Sequence, residues 1–394
     1  MSNNTDKNLK HINICIFSST SDKYGSEISL LELIDSLKNS GASFCVVLPS
    51  KGALYYELKK RNIKIIIYPI KNWARKKTFF LKSILRLIYN ILICIPLIIH
   101  LKYLNYNLIY SNTILVFCGA FVSAVLQIPH IWHIHEFGFE DHQLKFDFGE
   151  KLSCKIMSLL SQKFICVSKA VATKYSTLLD KSKITTIYQS VSLIPEQKTI
   201  HLKEHNTFSL DSCRLIYMAQ LTEGKRPFDA IKAVYLLRKL NIDVNLTILG
   251  NGPSNFVKKL KKQCIKLNIS NSIKFIGYTD YFFSYLKTSD ICIVCSKKEG
   301  FGRAAIYAMK AGIPVIATNS GGSPEIVKSG VNGLLYPPGD ILSLTKCILR
   351  LIYNKDLSQK MGMSGKEWVD NTFTQVSYGK ELEKIFINIS RKVI

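Results

Sequence analysis

Short apolar runs alternate with amphipathic segments along most of this chain, and this alternation limits the folds that it can adopt. In the first half, runs of strand length occur at HINICIF, ASFCVVLPS, IKIIIYPI, NLIYSN, PHIWHIHE, KFICVSKAV and KITTIYQSV. Between several of them lie segments whose apolar residues recur at helical spacing, such as ISLLELIDSLKNSG. Strands that alternate with helices favour a parallel sheet with helical crossovers, so we predict an α/β fold.

A polar segment without periodicity, residues 195–211, interrupts this pattern and is predicted to be a linker. The alternation then restarts with apolar runs at RLIYMAQ, VNLTILG, IKFIGYT, DICIVCS, PVIAT and GLLYPPGD. Because 394 residues exceed one ordinary core, we predict two Rossmann-like domains, residues 1–195 and 211–375, whose parallel sheets face across a ligand-binding cleft. A C-terminal helix at 376–394 is expected to pack back on the first domain.

The charge of the chain is strongly basic, with 53 Lys and Arg against 28 Asp and Glu and a net charge of +25. Residues 58–135 contain no acidic residue but eleven Lys or Arg, interleaved with aromatic and aliphatic side chains. This composition suits an anionic membrane surface, and a solvated basic face over a core helix is an equally good interpretation. Nucleic acid is not an expected partner, because no nucleic-acid-binding motif accompanies the charge.

The most apolar segment, residues 87–99, is 13 residues long by its sequence and contains Asn90 and Pro96. A membrane-spanning helix needs about 20 apolar residues, so we predict a buried or an interfacial helix here. The first residues lack a basic-then-apolar signal pattern, and the eleven cysteines are scattered singly. We therefore expect a cytoplasmic protein, attached peripherally to the inner face of the cell membrane.

The most informative block is EGFGRAAIYAMKAGIPVIATNSGGSPEIV, residues 299–327. Glu299 follows an apolar strand, and Gly300 and Gly302 allow a ligand to approach the backbone closely. A predicted helix begins near Arg303, so its N-terminal N–H groups and the guanidinium favour an anion at the same place. The residues thus indicate a diphosphate site.

This block resembles the donor-binding signature of the retaining glycosyltransferases of glycosyltransferase family 4, which have the GT-B fold. The family pattern is Glu, seven residues, Glu, and Glu299 matches its first position, whereas Tyr307 stands at the second. In the family that second Glu accepts hydrogen bonds from the nucleotide ribose. A Tyr hydroxyl carries no charge, so the resemblance implies weaker or altered donor binding here.

Other segments extend the resemblance over nearly the whole chain. LIYMAQLTEGKRPFDAI is similar to the element whose Arg and Lys grip the donor diphosphate; Lys225 is present, and Gln220 replaces the Arg. KYGSEISLLEL is similar to the Gly-rich loop after the first strand, and IWHIHE to the segment with the active-site His, here His135. The resemblance implies Glu299 and His135 as catalytic residues. The implied donor-binding residues are Gly25, Ser26, Gln220, Lys225, Gly300, Phe301, Gly302, Arg303 and Tyr307.

The resemblance implies transfer of a sugar, with retention, from a UDP- or GDP-sugar to a glycan or glycolipid acceptor in surface polysaccharide or glycolipid synthesis. The first domain would bind the acceptor and the membrane, and the second the nucleotide sugar. No metal or other cofactor is expected, because Lys225, backbone amides and a helix dipole can neutralise the leaving diphosphate. Two alternatives remain open: a GT-B nucleotide-sugar epimerase, and a non-catalytic transferase-like subunit that has lost ribose binding at Tyr307.

Overall fold

The computed structural model of this chain describes residues 12–192 and 212–390 and divides them into two compact units. Residues 12–139, 143–192 and 373–390 form the first unit, and residues 140–142 and 212–372 form the second. The segment predicted to be a linker, 195–211, lies outside the described residues.

The first unit is built on a parallel seven-stranded sheet in the order β3-β2-β1-β5-β6-β8-β9. The remaining two strands, β4 and β7, form a short antiparallel pair. The strands are β1 (Asn13–Ser18), β2 (Ser43–Leu48), β3 (Lys64–Ile67), β4 (Ala74–Arg75), β5 (Leu108–Asn112), β6 (His130–Ile134), β7 (Lys145–Phe146), β8 (Lys163–Cys166) and β9 (Ile184–Thr186). The first seven helices are α1 (Gly25–Ser36), α2 (Ala53–Lys60), α3 (Phe80–Lys102), α4 (Phe117–Leu126), α5 (Phe139–His142), α6 (Glu150–Leu160) and α7 (Lys169–Tyr175).

The second unit contains a parallel six-stranded sheet in the order β12-β11-β10-β13-β14-β15. Its strands are β10 (Cys213–Met218), β11 (Val244–Leu249), β12 (Ile273–Gly277), β13 (Ile291–Val294), β14 (Val315–Thr318) and β15 (Gly333–Tyr336). Its helices are α8 (Pro227–Lys239), α9 (Ser254–Lys266), α10 (Phe282–Lys287), α11 (Arg303–Lys310), α12 (Ser323–Ile326), α13 (Ile341–Tyr353) and α14 (Lys355–Thr372). Every apolar run predicted to be a strand contributes to one of the two sheets, which confirms the two α/β domains.

The last helix, α15 (Gln375–Ser390), belongs to the first unit, although the second unit precedes it in the chain. It lies so close to α1 that a Cβ on Gly379 would come within 2.6 Å of the Ser36 carbonyl oxygen. Leu382 and Phe386 are fully buried there, and Phe386 meets the ring of Tyr110 edge-on. The core of the first unit therefore includes residues from both ends of the sequence.

Helix α3 is much longer than its sequence predicted. It runs for 23 residues, so the 13-residue apolar run is only part of it, and the whole helix is long and apolar enough, by length and composition alone, to cross a membrane. Pro96 is exposed within the helix, where water can bond the carbonyl oxygen that it leaves without a donor. The buried Asn90 does not end the helix, because its side chain bonds the backbone of Lys71.

Candidate functional site

The second unit brings together Lys225 and Glu299, two of the residues predicted to act on the donor. The Lys225 ammonium is 3.0 Å from Glu299 Oε1 and 2.8 Å from Oε2, and both side chains are 14% exposed. Lys225 lies in the loop after β10, and Glu299 in the loop after β13. Because β10 and β13 are neighbours in a parallel sheet, their carboxyl ends meet at one edge. The site thus occupies the part of an open α/β sheet where ligands commonly bind.

The pKa of Glu299 reflects this pairing. Burial raises the pKa, but the Lys225 ammonium and the hydrogen bond donated by Ser296 Oγ to Oε2, 2.5 Å long, outweigh burial and hold it below its ordinary value. Glu299 is therefore a carboxylate at neutral pH. It can accept hydrogen bonds from sugar hydroxyls or stabilise positive charge near them. Sequence reasoning missed Ser296, although its position in the same loop was visible.

Two glycines hold the Glu299 loop in place. Gly322 N–H donates to the Glu299 carbonyl at 2.7 Å, and Gly321 forms a parallel β-bridge with Glu299. A Cβ on Gly321 would come within 2.4 Å of the Glu299 carbonyl oxygen, and one on Gly322 within 2.6 Å of the Gly300 carbonyl oxygen. Only glycine allows this approach of the two backbones. The SGGS motif therefore positions the loop that carries Glu299.

Helix α11 begins directly after this loop. Gly300 and Phe301 are buried, and Gly302 takes the left-handed conformation, with φ of 106°, that turns the chain into the helix at Arg303. The first N–H groups of α11 thus follow Glu299 by four residues. This confirms the loop-to-helix geometry that the sequence predicted, and such a helix start favours an anion.

Tyr307 lies one turn further along α11, and its hydroxyl accepts a hydrogen bond of 2.6 Å from Arg303 Nη2. The Tyr307 ring lies 4.8 Å from the ring of Phe282, and the residue is 6% exposed. The position where the family pattern has Glu is therefore occupied by a buried aromatic ring whose hydroxyl is tied to a guanidinium.

Gln220 lies at the same sheet edge, two residues after the end of β10, and is exposed. Its loop is anchored by Leu221 N–H, which donates to the Asn251 carbonyl at 2.8 Å. A Cβ on Gly250 would come within 1.9 Å of the Ala219 carbonyl oxygen, so this Gly-rich turn shapes the loop. No contact joins Gln220 to Lys225 or Glu299 among the residues that the structure describes.

In the first unit, Asn112 links the other predicted residues. Its amide donates to the Ser26 carbonyl at 3.1 Å, and its Oδ1 lies 2.8 Å from His135 Nε2, which therefore donates to it. Gly25 and Ser26 form the first turn of α1 rather than the preceding loop, which corrects the sequence prediction. The helix starts early because Ile28 N–H already bonds the Tyr24 carbonyl.

The ring of His135 is held on both sides. Gln189 Nε2 lies 2.8 Å from Nδ1 and donates to it, because Nε2 of His135 carries the proton given to Asn112. The neighbouring His133 ring is 4.0 Å away, and burial lowers the pKa of His133 to about 3. His133 is thus a neutral, buried neighbour that also contacts Tyr110.

Sequence reasoning did not find Asn112 or Gln189. Asn112 is the last residue of β5, and Gln189 lies three residues after β9. A place at or just beyond the carboxyl end of a strand was the only available signal. Within residues 12–192 and 212–390, no three His, Cys, Asp or Glu side chains form a group that could hold a metal ion.

Comparison with known proteins identifies the family. The family described as Glycosyl transferases group 1 matches residues 200–368, and the family described as Glycosyltransferase Family 4 matches residues 24–193. Together the two matches cover most of the chain. The chain belongs to the family 4 type of glycosyltransferases.

Among curated relatives, an uncharacterized glycosyltransferase of Methanocaldococcus jannaschii, MJ1178, is 31% identical over 64% of this chain and 66% of its own length. The N-acetyl-alpha-D-glucosaminyl L-malate synthase of Bacillus anthracis is 28% identical over 57% of this chain and 59% of its own length. The matched region thus spans somewhat less than two thirds of these relatives.

Among solved structures, Anabaena HepE in complex with UDP-glucose superposes with a TM-score of 0.81 and 20% identity, over 96% of this chain and 100% of HepE. The lipopolysaccharide outer core galactosyltransferase WaaB superposes with a TM-score of 0.68 and 15% identity, over 96% of this chain and 100% of WaaB. At this level of identity the likeness concerns the fold, and it shows that the chain has the GT-B fold.

Proposed function

We propose that this chain is a retaining glycosyltransferase that moves a hexosyl group from a nucleotide-diphosphate sugar to a lipid-linked glycan acceptor. The observation that carries the proposal is the Lys225–Glu299 pair beside the N-terminus of α11. It combines a cation and a helix start for a diphosphate with a buried carboxylate for the sugar. Family membership supports the same activity.

In the proposed reaction, the acceptor hydroxyl oxygen forms a bond to the anomeric carbon while the bond from that carbon to the diphosphate oxygen breaks. The hydroxyl proton passes to the departing diphosphate, so the step is balanced without another reactant. Lys225 and the first N–H groups of α11 stabilise the negative charge that develops on the leaving group, without a metal cofactor. Glu299 orients the sugar and stabilises the positive charge near the anomeric carbon.

His135 is proposed to contact the donor sugar. Its Nε2–H and Nδ1 are engaged by Asn112 and Gln189, so the ring is fixed in one orientation and one tautomer. A fixed ring favours binding and orientation over free proton transfer. For the base of the donor, the UDP and UDP-glucose complexes of HepE support a uridine nucleotide as the first candidate.

Peripheral attachment to an anionic membrane is the second part of the proposal, and α3 supports it. Six aliphatic residues along α3, spaced by four and three residues in turn, are exposed by between 48% and 69%: Leu81, Leu85, Ile88, Leu92, Ile95 and Ile99. We call these six residues the α3 apolar face. Near the start of α3 lie Lys76, Lys77 and Lys82, all exposed. An apolar stripe beside exposed cations suits binding in the plane of an anionic bilayer.

The opposite side of α3 is part of the protein core, which favours lying on the membrane over crossing it. Cys94, Leu97 and Leu101 are at most 1% exposed. Arg86 is paired with Asp147 through Nη2 and Oδ1 at 2.6 Å. A helix that spans the bilayer would have to give up these contacts, whereas an interfacial helix keeps them.

The donor part is tested by binding. Thermal shift and calorimetry with UDP, GDP, ADP, dTDP and their common sugars should single out one nucleotide. Lys225→Ala should weaken that binding at least about tenfold, the effect of one charge-assisted hydrogen bond, whereas Lys258→Ala, on the exposed side of α9, should not change it. With the selected donor, NMR of the product reports whether the anomeric configuration is retained.

The same experiment separates the alternatives. An epimerised nucleotide sugar, rather than a new glycoside and free nucleotide, would identify an epimerase. Absence of binding to every nucleotide would identify a non-catalytic subunit and would overturn the proposal, because Tyr307 would then have removed donor binding.

A further inference from the structure

An open cavity lies at the carboxyl ends of β1 and β3 within the first unit. Its volume is about 370 Å³, and it is lined by Ser19, Ile70, Lys71, Asn72, Ala74 and Arg75. Ser19 directly follows β1, and the other lining residues follow β3. None of them belongs to the group around Glu299 or to the group around His135.

The cavity has two cations, Lys71 and Arg75, that take part in no ion pair within the described parts of the chain. Asp147 is near Arg75, but both of its oxygens are engaged by Arg86, at 2.7 and 2.6 Å. Burial lowers the pKa of Arg75, and the neighbouring Arg86 lowers it further, while Asp147 opposes both.

Helix α3 fixes the wall of this cavity. Asn90 Oδ1 accepts from the Lys71 N–H at 2.9 Å, and its amide donates to the Lys71 carbonyl at 2.8 Å. Tyr89 donates to the Pro69 carbonyl at 2.9 Å, and Trp73 Nε1 donates to the Ile114 carbonyl at 2.6 Å. The backbone of the wall is therefore held by these hydrogen bonds, and the charged ends of Lys71 and Arg75 have no carboxylate paired with them within the described residues.

The cavity also adjoins the α3 apolar face. The Lys71 ammonium lies 3.7 Å from the centre of the Tyr89 ring. Tyr89 is four residues after Leu85 and three before Leu92, so it neighbours both on the helix surface. Leu85 and Leu92 are 58% and 59% exposed. A cation at the edge of an apolar face is at the depth where lipid phosphates lie when that face is in a bilayer.

We propose that this cavity binds the phosphate group of the lipid-linked acceptor, with its lipid chain against the α3 apolar face. Lys71 and Arg75 supply the cations, and Ser19 and Asn72 supply neutral hydrogen-bond donors. The proposal rests on the proposed transferase function and names the substrate class of its acceptor: an amphiphile that carries a phosphate. A neutral glycan would leave both cations without an anionic partner.

The test is calorimetry with water-soluble probes and no donor: n-octyl phosphate, inorganic phosphate, n-octanol and dihexanoyl phosphatidylglycerol. We expect n-octyl phosphate to bind most tightly. The double variant Lys71→Ala/Arg75→Ala should weaken its binding at least about tenfold. The matched double variant Lys76→Ala/Lys77→Ala removes the same charge from exposed positions outside the cavity and should leave the affinity unchanged.

Three results would overturn the inference. If both double variants weaken binding equally, the attraction is diffuse charge and not a site. If inorganic phosphate binds as well as n-octyl phosphate, the lipid chain has no role. If dihexanoyl phosphatidylglycerol binds as tightly through the same two cations, the cavity takes bulk lipid headgroups rather than an acceptor.

The donor-site variant Lys225→Ala keeps the two proposals apart. It should bind n-octyl phosphate like the unaltered chain, because Lys225 does not line the cavity. Loss of octyl phosphate binding in that variant would place the phosphate at the donor site and overturn this inference alone. Failure of all nucleotides to bind, with octyl phosphate binding intact, would overturn the transferase function alone.

Discussion

The Lys225 ammonium lies within 3.0 Å of both carboxylate oxygens of Glu299, although 74 residues separate the two in the chain. The same ammonium is proposed to bind the donor diphosphate, and the same carboxylate to orient the donor sugar. The proposed donor site therefore has a positive charge for the diphosphate and, within hydrogen-bond distance of it, a negative charge for the sugar. Its strength can be measured independently of any substrate.

Glu299→Gln should lower the free energy of unfolding at neutral pH by about 1–3 kcal/mol, because it leaves Lys225 without its counter-charge. Burial raises the pKa of Glu299, but Lys225 and Ser296 hold it below its ordinary value. The stabilisation is therefore present above the unfolded-state pKa of about 4.3 and is lost as the pH falls through the lower folded-state pKa. Urea unfolding at neutral pH and near pH 3 measures it; an unchanged difference at the two pH values would contradict this account.

Glu27 should give the opposite pH dependence. Burial raises the pKa of its carboxyl to about 7, and the hydrogen bond from Ser26 Oγ, 2.8 Å long, opposes this only in part. The folded state thus holds a proton that the unfolded state releases, so stability present at acid pH is lost between about pH 4.3 and 7. Glu27→Gln should remove that loss, a difference of about 4 kcal/mol across the window. Equal slopes of stability against pH in variant and unaltered chain would disprove it.

Tyr307→Glu should strengthen nucleotide binding about tenfold, because a carboxylate one turn after Arg303 can accept hydrogen bonds from the ribose that a phenol cannot. Tyr307→Phe serves as the matched control, since it keeps the ring against Phe282 and removes only the oxygen. Calorimetry with the nucleotide selected above is the measurement. Weaker binding by both variants than by the unaltered chain would mean that the Arg303–Tyr307 pair forms the ribose site itself.

Leu85→Ser/Leu92→Ser should reduce binding to phosphatidylethanolamine vesicles containing phosphatidylglycerol by more than about tenfold. Complete burial of each leucine contributes roughly 1.5–3 kcal/mol. Leu159→Ser/Ile265→Ser, at other exposed apolar positions, is the control and should bind like the unaltered chain. Flotation at low salt is the measurement. Equal flotation of both double variants would show that the α3 apolar face does not enter the bilayer.

Asn90→Ala should cost about 2 kcal/mol of stability, because two partly buried backbone groups of Lys71 lose their partner. It should also weaken octyl phosphate binding without touching the cavity lining. Urea unfolding and calorimetry report the two effects. Unchanged binding in a destabilised protein would show that Lys71 reaches its ligand without this anchor.

Both sheets were predictable from sequence, because each buried strand is a short apolar run such as HINICIF or DICIVCS. The loop-to-helix turn at Gly302 and the Glu299 loop were predictable because glycine spacing reports local backbone geometry. The length of α3 was not, because Ser83 and Asn90 look like interruptions until their partners, Asp147 and Lys71, are known.

The hydrogen-bonded neighbours of His135 were equally hidden. Asn112 lies 23 residues before it, and Gln189 lies 54 residues after it. Only the parallel sheet brings the ends of their strands together. Sequence patterns report what a residue does to its own segment, whereas these contacts depend on which strands become neighbours.

Because α15 completes the core beside α1, the half of the molecule that is translated first is the half that is finished last. When residue 192 has left the ribosome, Leu382 and Phe386, which fill that core, have not yet been synthesised. The second unit can fold as it leaves the ribosome, whereas the surface of α1 that contacts α15 stays uncovered until α15 has been synthesised. Truncation of the chain near residue 373 should therefore destabilise the first unit more than the second.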